Sequence, residues 1–364
     1  MATYTEEVIS EVKGRVGFIT LNRPKALNAL SLAMVRELQA VLLAWQQDNN
    51  VLAVAIRGSN KEGVFGAFCA GGDIRFLHAA GSAGNPELED FFTEEYALNY
   101  LIHNFGKPYI AFMDGIVMGG GMGISQGGST RIVTERTKMA MPETAIGLFP
   151  DVGGGYFLSR CPGHVGEYLG LTGQMIGAAD ALAYQLADGY LPSDQQAAVW
   201  DGLATVSFAD GKAVETFVAS KFVAAPARQT GIDAEIDQYF ALKDVPAIIQ
   251  ALELADSEFA KTTAETLRKR SPLMLYVVLE QIRRARQQTL AQDLRMERDM
   301  VRHCFYLRAD RKSETLEGIR ALAVDKDHHP RWSPERIEDV ELNEVAQMFA
   351  SPWPAHSHPL KDLA

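Results

Sequence analysis

The chain has 364 residues, 47% apolar and 22% charged, the proportions of an ordinary globular protein, which excludes disorder, collagen-like repetition and low complexity. Its 35 Lys and Arg against 46 Asp and Glu give a formal charge of −11. That sign repels a phosphate backbone and speaks against a nucleic-acid partner, while leaving room for a small anionic ligand in a local pocket.

In chain order, Val16–Leu21 (VGFITL) predicts a strand. Ser31 then offers an N-cap to a helix whose Met34, Val35, Leu38, Val41, Leu42 and Trp45 share one face. Val51–Ile56 (VLAVAI) is wholly apolar and half β-branched, as in a strand covered on both faces, and a loop over Gly58–Gly66 follows. A helix over Ile74–Ala80 comes next, then one over Pro86–Phe105. Tyr109–Met113 and Arg131–Thr134 read as later strands, so this half is an α/β layer with parallel pairing. From about Leu191 the texture is helical, with segments over Ala247–Arg268, Pro272–Arg286 and Leu290–Leu307. The tail from Ser351 to Pro359 reads as irregular and free to move.

Cys69, Cys161 and Cys304 are too few and too far apart for a disulfide framework or a metal knuckle and suit a reducing compartment. No apolar run of about 18 residues predicts a membrane span. The polar start Met1-Ala-Thr-Tyr-Thr-Glu-Glu fits neither a secretory signal nor a transit peptide, so a cytoplasmic setting is expected.

Four segments carry candidate chemistry. Phe68-Cys-Ala-Gly-Gly-Asp73 sets bare backbone N–H groups near a helix N-terminus, where they can hold a negative oxygen; its plain alternative is a tight turn with Asp73 as N-cap. Gly115-Ile-Val-Met-Gly-Gly-Gly-Met-Gly123 permits close backbone approach. It fails the dinucleotide fingerprint, because the final glycine position falls on Ile124 or Gln126. Within it, Gly123-Ile-Ser125-Gln-Gly127 matches the serine nucleophile elbow, but that motif needs its serine on the turn straight after a strand, and Ser125 lies 12 residues beyond Met113. Glu143 and Asp151 stand eight apart in the apolar run Met141–Tyr156, where burial raises a carboxyl's pKa into the working range of an acid or base. Otherwise Glu143 decorates a turn and Asp151 caps the helix beginning near Val152. Finally, Glu95 falls inside the stripe Leu88, Phe91, Leu98, Ile102, a costly place for an acid unless it is paired, functional or reaching the stripe's edge. His328-His329 and His356-x-His358 lack a third ligand at a supporting spacing, so no metal is expected.

Together these segments resemble the crotonase (enoyl-CoA hydratase/isomerase) superfamily over residues 5–190. Leu21–Leu30 (LNRPKALNAL) looks like its coenzyme A-contacting segment, and Phe68–Asp73 and Met118–Gly123 look like its two oxyanion-hole segments. The resemblance implies a spiral of repeated ββα units, a core over 1–190, and a helical region over 191–364 that covers the site and assists assembly into trimers or multiples. It assigns the oxyanion donors to Gly72 and Gly120, and coenzyme A contacts to Lys25, Ala26, Leu27, Ala70 and Asp73. Hydratases of this superfamily carry a glutamate three residues after the second oxyanion glycine, where this chain has Gly123, so hydration is disfavoured. Met141–Tyr156 (MPETAIGLFPDVGGGY), Phe91–Tyr96, Glu317–Ala321 and Asp325–Pro334 are similar to the 3-hydroxyisobutyryl-CoA hydrolase branch. That branch implies thioester hydrolysis in valine breakdown with Glu143 and Asp151 catalytic and Glu95 lining the acyl end. Coenzyme A then arrives as part of the substrate, and neither metal nor redox cofactor is implied. An enoyl-CoA hydratase or isomerase, a serine hydrolase using Ser125, and a non-catalytic acyl-CoA-binding protein are the alternatives.

Overall fold

The structure, a computed structural model, describes residues 6–228, 231–308 and 313–364; most of the polar start lies outside the described residues. The chain forms two compact units, one from residues 1–72, 97–139 and 176–228, the other from 73–96, 140–175 and 229–364. The boundary expected after residue 190 falls within the first unit's third segment.

The first unit is built on a mixed sheet. Its strands are β1 (Val8–Lys13), β2 (Val16–Leu21), β3 (Ala53–Asn60), β4 (Gly63–Val64), β5 (Tyr109–Met113), β6 (Ile116–Met118), β7 (Thr130–Val133), β8 (Lys138–Ala140) and β9 (Gly189–Tyr190). The sheet order is β1-β2-β3-β5-β7-β9, with β4 on the end of β3 and a separate β6-β8 pair. From β2 to β9 every pairing along the path is parallel, with Val16 opposite Ala53, Val54 opposite Tyr109, Ile110 opposite Thr130 and Ile132 opposite Gly189. Strands β2 and β5 are buried along their whole length, which is what continuous apolar runs require of a parallel sheet. Two expectations change. β1 joins β2 as an antiparallel hairpin, unannounced by an apolar run because only Val8 of it is buried. The loop expected over Gly58–Gly66 is instead the end of β3 and its return through β4.

Ser31 caps the helix Leu32–Gln47 by accepting from the Met34 amide at 3.2 Å. The helices Gln196–Thr205 and Gly211–Ala219, read from sequence as part of the helical half, bury Val199, Trp200, Leu203, Val214 and Val218 in one cluster with Val16, Phe18, Ala55 and Phe112. Trp200 stands 4.9 Å from the Phe18 ring and 5.4 Å from the Phe112 ring, centroid to centroid. They complete the sheet's core because such a sheet cannot leave an apolar face in water.

The second unit is helical. The segment expected over Ala247–Arg268 divides into Val245–Glu253 and Glu258–Arg268, because Ser257 caps a new helix through the Ala260 amide. Pro272–Ala285 is a single helix laid against Gly154–Leu158 and Val165–Thr172; Gly170 permits the close approach, since a Cβ there would stand 2.8 Å from Ile282. Leu290–Phe305 opens with a capping box of Thr289 and Gln292. The tail, expected to be irregular and free to move, carries a 3-10 turn over Ala355–Ser357 and packs against the helix Leu290–Phe305. Trp353 lies over Arg298 and Arg302 at 4.8 and 5.3 Å, Ser351 donates to Asp299 at 2.8 Å, and His358 is buried. Among the described residues no helix is long and apolar enough to cross a membrane.

Candidate active site

Two glycine-rich segments lie side by side in the first unit. The Cys69 amide donates to the Ile116 carbonyl at 2.9 Å and the Met118 amide to the Cys69 carbonyl at 3.0 Å. A Cβ on Gly121 would stand 2.3 Å from the Cys69 carbonyl oxygen, so only glycine allows this approach. Gly71 (φ +105°) precedes Gly72, and Gly119 (φ +48°) precedes Gly120; both turns use the left-handed region, where a side chain is strained. Gly120 opens the helix Gly120–Gln126, so its amide has no earlier carbonyl of that helix to meet. The coenzyme A candidates sit beside the first segment. Lys25 and Ala26 lie on the turn Pro24–Ala26, and the Leu27 carbonyl accepts from the Ala70 amide at 3.0 Å. Buried Asn28 ties this turn down, its amide donating to the carbonyls of Ser59, Ala67 and Phe68 at 2.8, 3.0 and 3.1 Å.

Asp73, at the start of the second unit, is the N-cap of the helix Ile74–Ala83, accepting from the amides of Arg75 and Phe76. Ser125 is buried inside the helix Gly120–Gln126, and its hydroxyl donates to the carbonyls of Gly121 and Met122 at 2.8 and 3.2 Å. A hydroxyl inside a helix that donates to that helix's own carbonyls is no nucleophile elbow, so the serine-hydrolase alternative loses its footing.

Three acids converge in the second unit. Glu95, Glu143 and Asp151 are 2%, 6% and 6% exposed, and they act on one another electrostatically. Glu143 enters from the turn Glu143–Ile146, itself tightly backed: a Cβ on Gly147 would meet the Glu314 carbonyl oxygen at 2.4 Å, and one on Gly318 the Ile146 carbonyl carbon at 2.3 Å. The motif around Glu317 and Gly318 therefore serves as the wall behind Glu143. Asp151 is not the helix cap: the helix begins at Gly154 behind Gly153, and the Asp151 carboxylate instead accepts from the Tyr96 hydroxyl at 2.8 Å.

Burial, followed by the charge of Asp151, pushes Glu143 and Glu95 well above the usual carboxylate range. Burial also raises Asp151, to about 6, with the Tyr96 hydrogen bond holding it down. Near neutrality Asp151 thus releases its proton before its two neighbours do. Carboxyls whose environments separate their proton affinities can divide the roles of acid and base. Glu143 Oε2 and Glu95 Oε1 are buried without a hydrogen-bond partner among the described residues, which leaves acceptor capacity for a small polar ligand.

Sequence reasoning missed Tyr96, Gln281, Asp293 and Glu297. Glu297 accepts from the amides of Gly153 (2.8 Å) and Gly155 (3.0 Å), and Asp293 from that of Tyr156 (2.9 Å). A signal existed: Leu290, Leu294, Val301 and Cys304 form a helical stripe, and Glu297 stands in it, the pattern that singled out Glu95. The histidines find structural uses. The His329 amide donates to Asp327, which with Asp325 and Glu317 holds Arg320, and the His358 ring accepts from the Leu360 amide.

A family model described as enoyl-CoA hydratase/isomerase matches residues 16–349. The chain is 40% identical to 3-hydroxyisobutyryl-CoA hydrolase 1 of Arabidopsis thaliana over 352 residues, 94% of this chain and 91% of that one. It is 38% identical to the mitochondrial 3-hydroxyisobutyryl-CoA hydrolase of Danio rerio over 356 residues, 95% and 90% of the two chains. The crystal structure of a carnitinyl-CoA dehydratase from Mycobacterium thermoresistibile matches with a TM-score of 0.87 at 35% identity, covering 98% of this chain and 99% of that one. That of an enoyl-CoA hydratase from Rhodobacter sphaeroides gives 0.84 at 37%, covering 95% and 98%. The crotonase-like α/β architecture with a helical C-terminal region, expected from the motifs, is the fold shared with these structures.

Proposed function

The chain belongs to the enoyl-CoA hydratase/isomerase family, and on that premise we propose that it hydrolyses a short 3-hydroxyacyl-CoA thioester, 3-hydroxyisobutyryl-CoA first among them. Water and thioester give the free hydroxy acid and the coenzyme A thiol, a step of valine breakdown. The observation that carries this reading is the buried group of Glu95, Glu143 and Asp151 with its divided proton affinities. The hydrolase names of relatives near 40% identity support it.

In this reading the amides of Gly72 and Gly120 hold the thioester oxygen, each donor stabilising the developing charge by about 3 kcal/mol. Lys25, Ala26, Leu27, Ala70 and Asp73 contact coenzyme A. Glu143 attacks the carbonyl or activates water. Asp151 orients the substrate hydroxyl or water and supplies the thiolate's proton, and Glu95 lines the acyl end. The proton order favours a second assignment, with Asp151 as the base and Glu143 as the proton donor. A single turnover in ¹⁸O-water tests the covalent route: label in the Glu143 carboxyl marks an anhydride opened by water at the glutamyl carbon, which direct water activation does not produce.

The test is thiol release across short acyl- and hydroxyacyl-CoAs. Glu143→Ala is expected to fold and to release no thiol. The enoyl-CoA hydratase and carnitinyl-CoA dehydratase structures keep a hydratase reading in play; hydration of crotonyl-CoA at a rate rivalling hydrolysis would establish it. Tight acyl-CoA binding without turnover on any chain would point to a binding protein. Cytoplasmic placement and assembly into a trimer or a multiple of it belong to the same proposal. The animal relatives are named mitochondrial, so cell fractionation tests the first, and light scattering tests the second.

A further inference from the structure

We propose that Glu297, seconded by Asp293, is a positioning residue for Asp151: by gripping the backbone after Asp151, and through Gln281 the backbone before it, it fixes where that carboxylate stands. The proposal rests on the hydrolase reading of Asp151.

Three observations carry it. First, Glu297 holds the chain just after Asp151 directly and the chain just before it through Gln281. Its Oε2 accepts from the Gly153 amide at 2.8 Å and its Oε1 from the Gly155 amide at 3.0 Å. Upstream, the Gln281 side-chain amide donates both to Glu297 Oε1 at 3.1 Å and to the Pro150 carbonyl at 2.7 Å. Asp293 extends the grip to the Tyr156 amide at 2.9 Å. Second, the gripped turn is strained where it matters. Val152, next to Asp151, sits at φ +57°, a region β-branched residues rarely enter, and strain of this kind persists only when its surroundings over-determine it. Third, the turn is fitted to the Asp293 carboxylate. A Cβ on Gly155 would come within 2.4 Å of Asp293 Oδ1, so glycine at this position is what admits the Asp293 carboxylate.

A helix start needs no such apparatus. A serine or aspartate at the N-cap satisfies the same amides from within the chain, as Ser257 and Ser271 do elsewhere in this unit. Here the acceptors are two fully buried acids from the helix Leu290–Phe305, an arrangement costly in desolvation. What it secures is the backbone of Asp151, whose carboxylate is then met by the Tyr96 hydroxyl at 2.8 Å.

The test uses the full chain and thiol release from 3-hydroxyisobutyryl-CoA. Glu297→Gln keeps the shape but sets an NH₂ group against one of the glycine amides. The expected result is a kcat about 10- to 100-fold lower, with KM changed by less than about threefold. The second readout is coupling. Tyr96→Phe displaces the pH limb set by Asp151 in the parent, and in the Glu297→Gln background that displacement is expected to vanish, because the carboxylate no longer stands at the hydroxyl. The groups facing Asp151 are Glu95 and Tyr96 from one helix, Glu143 from its turn, and Glu297 and Cys304 from another; all but the substituted ones are common to the two backgrounds. A merely structural Glu297 would give additive effects. Parental kcat in Glu297→Gln with the Tyr96→Phe displacement intact overturns the proposal and leaves the hydrolase reading standing, provided Asp151→Asn is inactive. Parental thiol release by both Glu143→Ala and Asp151→Asn overturns the reading beneath it. Should Glu297→Gln show no cooperative unfolding transition, Asp293→Asn, which weakens the grip at the Tyr156 amide, decides by the same two readouts. A kcat drop of about 3- to 10-fold with lost coupling supports the proposal, and parental kcat with intact coupling overturns it.

Discussion

Tyr96→Phe removes one oxygen and tests the electrostatic account of the site. The Tyr96 hydroxyl donates to Asp151 at 2.8 Å, and this bond favours the ionised carboxyl against the burial that raises its pKa to about 6. A hydrogen bond to a charged group is worth about 1.5–3 kcal/mol, and one pKa unit corresponds to about 1.4 kcal/mol. Losing the donor should therefore move the Asp151 limb upward by roughly one to two pH units. The assay is kcat/KM for thiol release from pH 5 to 9. With Asp151 as base, its limb is the acidic one, and at pH 6 a displacement of about 1.5 units lowers the rate about 15-fold while leaving pH 8.5 nearly unchanged. With Asp151 as proton donor, its limb is the alkaline one and the variant gains activity above pH 7. The two assignments thus separate in one titration. A profile in which no limb moves, or one moves down, refutes the reasoning.

Ser125→Ala should keep at least about half the parental thiol release, since its hydroxyl bonds only to its own helix; a dead but folded enzyme would reopen the serine-hydrolase route. Asn28→Ala should lower unfolding free energy by about 1–3 kcal/mol by stranding the buried carbonyls of Ser59, Ala67 and Phe68, a change that urea denaturation resolves. Gly318→Ala should displace the Glu143 turn, because its Cβ would come within 2.3 Å of the Ile146 carbonyl; thiol release should fall at least about tenfold, and unimpaired turnover would contradict the packing described. Asp151 and Glu314 hold their protons to about 6 and about 7 when folded, above their unfolded values, so between about pH 4.5 and 7 the native state binds more protons and stability falls as pH rises, by about 2 kcal/mol for Asp151 alone. Denaturant midpoints at pH 5 and pH 8 check this, and a higher midpoint at pH 8 would oppose it.

The parts of the site legible in sequence are those whose chemistry is local. Gly71-Gly72 and Gly119–Gly121 announce themselves because turns with positive φ and close backbone contacts demand glycine over consecutive positions. Glu143 and Asp151 stand out as acids in an apolar run. The sequence left Asp151 between catalyst and helix cap, since the answer depends on Val152 turning left-handed and on a hydroxyl 55 residues away. The hairpin of β1 and β2 was overlooked because an edge strand with five exposed residues carries no apolar run, although Gly14 at positive φ in a two-residue loop was a readable turn signal. The helices over 196–219 were assigned to the wrong neighbourhood for a similar reason: periodicity says that Trp200 and Leu203 are buried, not under which sheet.

Glu297 shows how far such signals extend. Glu95 and Glu297 are both acids in an apolar helical stripe, and the pattern alone does not tell them apart. The structure separates them by their partners. Glu95 keeps an oxygen with no partner among the described residues and is raised by the charge of Asp151, so it has bonding capacity left for a ligand. Both oxygens of Glu297 are occupied by backbone and side-chain amides, so it has capacity for the fold instead. A buried carboxyl's role follows from what its oxygens already hold. On that criterion Glu143, with a free buried oxygen, falls with Glu95, while Asp151, with one oxygen committed to Tyr96, stands between the two kinds.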